Sequence, residues 1–188
     1  LLILCWKHLT KKNSDPIKRI VQNTVLFSLI KFAPKLDPSN EAIINSVNTL
    51  CLLLRSSEIN TRYLTLDSLI QLCSDSGRVA VDTVSNENLD LIVHLMNNER
   101  DMSILRKTID LLYILANVDN VKVIVAHYLN FISNVKQSSD PQLKSNVSVK
   151  IAVLIEKFAT DPNWYIETSL KILSLTPDNS FHHDNIHN

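Results

Sequence analysis

A short element returns along this chain at intervals close to forty residues, and that spacing limits the available folds more than any other feature. Ser28-Leu29-Ile30-Lys31-Phe32-Ala33 is echoed 40 residues later by Ser68-Leu69-Ile70-Gln71-Leu72-Cys73. Leu112, Leu115 and Ala116 match Leu69, Leu72 and Cys73 at an offset of 43, and Ile151, Leu154 and Ile155 follow 39 residues further on. Within each period the apolar residues recur every three to four positions. Ile43, Val47, Leu50, Cys51 and Leu54 form one such set, and Val121, Ile124, Val125, Tyr128, Leu129 and Ile132 another. This rhythm lines them up along one stripe of an α-helix. No stretch alternates with period two, so no strands are expected.

Proline and aspartate mark where the helices begin. Four of the six prolines occur as Asp-Pro, at Asp15-Pro16, Asp37-Pro38, Asp140-Pro141 and Asp161-Pro162. An aspartate accepts hydrogen bonds from the free N–H groups of a first turn, and proline fits the first helical position because no donor is needed there. Helices are therefore expected near 16–33, 38–54, 58–74, 87–97, 101–117, 120–135, 141–159 and 162–175. These eight form four pairs. A single pair cannot bury both faces of its apolar stripe, and stacking on its neighbours completes the core. The expected fold is all-α, a HEAT/armadillo-like α-α superhelix (solenoid) of about four helix pairs. It runs over residues 1–175, with a polar, frayed tail over 176–188.

Composition excludes several functions. Gly77 is the only glycine in 188 residues, where average usage would give about thirteen. A glycine-rich phosphate loop or dinucleotide fingerprint cannot be written with one glycine. The 19 basic and 19 acidic residues balance, which argues against nucleic acid as a partner. Cys5, Cys51 and Cys73 lie among apolar neighbours with no paired spacing, so they read as buried thiols and not as a disulfide frame or zinc site. The apolar run Leu1–Trp6 is far shorter than the ~18 residues a membrane span requires. It reads as the tail of an earlier helix, and Leu1, Leu2, Leu4 and Trp6 are expected to form an exposed strip at that end. No signal peptide is visible.

Candidate sites are few, and each has a plainer reading. Lys11, Lys12, Lys18 and Arg19 form a basic cluster that could meet an acidic head group or partner; as a short group they suit a solvated turn. His182, His183, His187 and Asp184 are metal-ligand types, yet they crowd a polar tail without convergent geometry. Trp164 and Tyr165, just after Asp161-Pro162, suit packing across a turn or an aromatic partner contact. Asn146-Val147-Ser148 fits the glycosylation pattern but falls inside an expected helix. Asp67 and Asp110 occupy equivalent repeat positions and read as surface charges or loop-capping partners. No catalytic, cofactor-binding or metal-binding residue is assigned, and no enzyme activity or cofactor is expected. A receptor groove would repeat one residue type per period, and the aligned positions Gln22, Arg62, Leu105 and Lys144 show no such ladder.

Three stretches carry a family resemblance over about residues 55–175. They are Arg62-Tyr63-Leu64-Thr65-Leu66-Asp67-Ser68; Glu99-Arg100-Asp101-Met102-Ser103-Ile104 with Asp110-Leu111-Leu112-Tyr113; and Val149-Lys150-Ile151-Ala152-Val153-Leu154-Ile155-Glu156-Lys157-Phe158-Ala159 with Asp161 and Trp164-Tyr165-Ile166. In this order and spacing they resemble the trunk of adaptin large subunits, the plasma-membrane α type more than the Golgi γ type. Leu105 departs from the resemblance, standing where the adaptin element carries a basic residue. The resemblance implies a scaffold segment of a clathrin adaptor, cytoplasmic and peripheral on the cytoplasmic face of the plasma membrane at coated pits. Its implied partners are small, medium and β-type large subunits. In the full protein, clathrin-coat machinery, cargo tails and phosphoinositide membrane are added. No ligand-binding residue follows from it. A nuclear transport receptor or a Golgi-type coat subunit is the alternative helical-repeat module.

Overall fold

The computed structural model describes residues 15–36, 39–134 and 140–175. Among them are nine helices and no strand: α1 Pro16–Leu36, α2 Asn40–Leu53, α3 Ile59–Asp75, α4 Arg78–Glu87, α5 Leu89–Asn98, α6 Met102–Leu115, α7 Val121–Ser133, α8 Pro141–Phe158 and α9 Pro162–Leu175. The all-α, helix-pair class is as expected. The chain divides into two compact units, Leu1–Leu115 and Ala116–Asn188.

Local chemistry sets the helix starts. Asp15 Oδ1 accepts from the Ile17 N–H at 3.0 Å, Asp140 Oδ1 from Gln142 at 2.9 Å and Leu143 at 3.3 Å, and Asp161 Oδ1 from Asn163 at 3.0 Å. Each such cap is worth about 1 kcal/mol. The fourth pair, Asp37-Pro38, lies outside the described residues; α2 there takes Ser39 as its cap, accepting from Ala42 at 3.4 Å. The expected end of the first helix at 33 is corrected, since α1 continues through Pro34 to Leu36. So near a C-terminus, proline removes only one helical bond.

The first unit has two layers. In one, α1, α3 and α6 lie side by side; in the other, α2 packs on α4 and α4 meets α5, while α2 rests on α3 and α5 on α6 across the two layers. Leu26, Ile30, Val47, Leu50, Leu66, Leu69, Ile92, Ile104, Ile109 and Leu112 fill the space between them. The expected helix near 87–97 is present as α5, and the stretch before it, where no helix is expected, is corrected: it holds a further helix, α4. Two helices, α4 and α5, meet at Asn88, which ends one and starts the other. The helix over Arg78–Glu87 buries Ala80, Thr83 and Val84, a short stripe in which only Val84 is a large apolar side chain. Gly77 supplies the turn into it with φ +60°, a left-handed backbone that other residues adopt at a cost.

In the second unit, α8 packs on both α7 and α9, and α7 also meets α9. Tyr128, Phe131 and Ile132 of α7 are buried with Leu143, Val147, Ile151 and Leu154 of α8. Exposed apolar side chains remain on both units. Ile17, Ile20, Val21 and Val25 form a stripe on α1, and Ile166, Leu170 and Leu173 form one on α9. The strip expected at Leu1, Leu2, Leu4 and Trp6 lies outside the described residues.

Candidate docking surface

Charged side chains tie each helix of the α1–α3–α6 layer to the next. Arg19 of α1 pairs with Glu58, at the start of α3. Forty-three positions on from Arg19, Arg62 of α3 reaches Glu99, just before α6. Arg62 Nε donates to Glu99 Oε2 at 3.1 Å, Nη2 lies 3.0 Å from the same oxygen, and Nη1 donates to the Ser56 carbonyl at 3.0 Å. Glu99 Oε1 in turn accepts from the N–H groups of Arg100 at 2.9 Å and Asp101 at 3.0 Å. Asp101 then caps α6 through Ser103 at 2.9 Å and Ile104 at 3.1 Å. One guanidinium thus fastens the loop before α3 to the loop before α6. The Arg62 and Glu99 side chains are only 14% and 9% exposed, so this pair sits largely out of water.

A third pair lies further along the same two helices. Lys107 of α6 donates to Asp67 of α3 and stands 5.4 Å from the centre of the Tyr63 ring. The hydrogen bond it donates to Asp67 holds the lysine above its ordinary range, and the charges of Asp67, Tyr63 and Asp110 add to this against partial burial. Asp67 is therefore a surface charge engaged in an ion pair. Asp110 contributes to the field at Lys107.

Between α1 and α3 the surface opens into a groove of about 530 Å3. Arg19–Glu58 ties these two helices together at a separation of 39 residues, close to one repeat. Lys31 and Lys35 line it from α1, and Asp67, Gln71 and Asp75 from α3. Buried Ile30 and Leu72 and half-buried Phe27 make its apolar floor.

The other sequence candidates separate clearly. Lys18 is exposed on α1, Arg19 is committed to Glu58, and Lys11 and Lys12 lie outside the described residues. His182, His183, His187 and Asp184 also lie outside them, and no group of metal-ligand side chains occurs among the described residues. Trp164 is half-buried with Lys122 Nζ 5.6 Å from its ring centre, an internal packing contact of the second unit, and Tyr165 is exposed. Asn146-Val147-Ser148 lies inside α8, where Val147 is fully buried and Ser148 donates to the Lys144 carbonyl at 3.0 Å. Of the aligned positions Gln22, Arg62, Leu105 and Lys144, Arg62 is the clamp described above and Leu105 is buried core, so they do not face one groove. No described helix is long and apolar enough to cross a membrane.

Cys51 and Cys73 are free and buried, at 4% and 3% exposure; Cys5 lies outside the described residues. Burial pushes both thiols from 9.0 up to about 12, with the neighbouring Cys73 adding to the rise at Cys51. Neither thiol is expected to react with maleimide at pH 8 in the folded chain, and both should react after urea unfolding, as peptide mass spectrometry would show. The raised values mean that the folded state keeps protons which the unfolded state loses above pH 9. Stability is thus intact below pH 9 and falls toward pH 12, by about 1.4 kcal/mol per thiol per pH unit.

Comparison with known proteins gives this architecture a family. The adaptin N terminal region matches residues 5–188. AP-2 complex subunit alpha of Saccharomyces cerevisiae is 58% identical over 177 residues, covering 94% of this chain and 17% of that protein. AP-2 complex subunit alpha-1 of Arabidopsis thaliana is 29% identical over 169 residues, covering 88% of this chain and 16% of its own length. AP-1 complex subunit gamma of Dictyostelium discoideum is 26% identical over 163 residues, 87% of this chain and 17% of its own. The chain thus spans about a sixth of the length of these relatives. It belongs to the adaptin family, as an alpha-adaptin-like stretch of the large-subunit N-terminal trunk.

Proposed function

We propose that this chain is a scaffold segment of a clathrin-adaptor large subunit, holding small, medium and β-type companion subunits at the cytoplasmic face of the plasma membrane during endocytosis. The observation that carries this reading is the 58% identity to an AP-2 alpha subunit across 94% of the chain. The surface chemistry agrees with a role in packing. Charges are balanced, and of the basic cluster Arg19 is already paired within the fold. Each basic residue near an anionic membrane is worth about 1 kcal/mol before screening, so the remaining lysines make a weak anchor. Clathrin-coat machinery, cargo tails and phosphoinositide membrane belong, in this reading, to the assembled adaptor.

Two measurements test it together. Co-expression with the small, medium and β-type subunits should yield a complex that survives physiological salt. Co-sedimentation with vesicles containing phosphatidylinositol bisphosphate should be weak and lost at the same salt. Salt-resistant vesicle binding that depends on Lys11, Lys12 and Lys18, without subunit binding, would replace the scaffold reading with a membrane-targeting one.

A further inference from the structure

The groove between α1 and α3 carries charges that the fold itself leaves unused. Arg19–Glu58 and Asp67–Lys107 close into ion pairs on this layer, but Lys31, Lys35 and Asp75 form none among the described residues. Lys31 and Lys35 are one helical turn apart and so stand on the same side of α1. The opposite wall is acidic and amide-bearing, with Asp75 and Gln71 on α3. Between them the half-buried ring of Phe27 is left partly uncovered above an otherwise buried floor. A basic edge, an acidic edge and an apolar floor between them describe the negative image of an amphipathic segment.

We infer that this groove seats a helix of a companion adaptor subunit, with acidic side chains toward Lys31 and Lys35, a basic side chain toward Asp75 and an apolar residue on Phe27. The inference rests on the scaffold reading above and names a surface for it. Charge complementarity selects this occupant. A lipid phosphate or a nucleic-acid backbone would meet Lys31 and Lys35 but would be repelled by the carboxylate of Asp75 in the same groove, Asp67 being already neutralised by Lys107. Complementary edges of this kind fix register and partner choice more than they add raw affinity.

The test uses the native polypeptide carrying this chain, co-expressed with its small, medium and β-type companions. The double variant Lys31→Glu/Lys35→Glu and the single variant Asp75→Lys are compared with Lys18→Glu, an exposed charge on α1 outside the groove. All the groove charges are exposed, so melting temperatures should be unchanged. Each groove variant is expected to weaken association with one companion by roughly tenfold, with an altered salt dependence, while Lys18→Glu assembles normally. If the unaltered chain assembles and the groove variants assemble equally well, the groove assignment is overturned and the scaffold reading stands. If the unaltered chain does not assemble, both fall. If Lys31→Glu/Lys35→Glu lowers binding to phosphatidylinositol bisphosphate vesicles and leaves assembly intact, the groove is a lipid site and the inference is wrong.

Discussion

Replacing Arg62 with alanine is expected to destabilise the first unit by about 3–5 kcal/mol, the usual cost of breaking a buried ion pair from one side. The loss has identifiable parts. Glu99 would keep its charge in a site where it is 9% exposed, and the Ser56 carbonyl would lose its donor. Substituting both partners with apolar residues of similar size, Arg62→Met with Glu99→Leu, should cost less than either single truncation, because no unpaired charge is left behind. Urea unfolding of the single and double variants measures the difference. A loss below about 1 kcal/mol for Arg62→Ala would place this pair with ordinary surface salt bridges and remove its role as a clamp.

Phe131→Ala is the second large effect, about 3–5 kcal/mol in the second unit, from lost burial plus the cavity left behind. Phe131 is 1% exposed. Val149→Ser on α8 makes the contrast: Val149 is 60% exposed, so the change should stay within about 0.5 kcal/mol. Equal losses for the two would mean that the α7–α8 interface is not where this unit's core lies. Thermal unfolding of both variants decides it.

The sequence showed clearly whatever a few neighbouring residues determine. Asp15, Asp140 and Asp161 read as helix starts because capping involves atoms two or three positions apart. The stripe containing Ile124, Val125, Tyr128 and Ile132 read as a buried face because helical periodicity is local too. The helix α4 escapes such a reading because its buried face is short: Ala80 is small, Thr83 polar, and only Val84 is a large apolar side chain. Phe131 escaped the stripe because α7 is buried over a wider arc than one row of residues.

What sequence could not show was juxtaposition. In the sequence Arg62 is one of four aligned repeat positions, but its role depends on Glu99, 37 residues away. Lys35 and Asp75 look like ordinary surface charges until the forty-residue offset between α1 and α3 sets them across a groove. The repeat period contained that offset. It did not reveal which side chains would close on each other and which would remain apart.

The reach of the ion pairs also bears on how the first unit folds. Arg19–Glu58, Arg62–Glu99 and Lys107–Asp67 join residues 39, 37 and 40 apart, each about one repeat. None requires a long loop to close before it can form, and the entropy of closing a loop rises only slowly beyond this length. Chains whose contacts stay this local nucleate readily and fold fast compared with sheet proteins of similar size. The unit can therefore grow from any one helix pair outward, each newly docked pair offering its charged edge to the next. During synthesis, α1, α2 and α3 can settle as soon as α4 has emerged to cover α2, without waiting for α5 and α6.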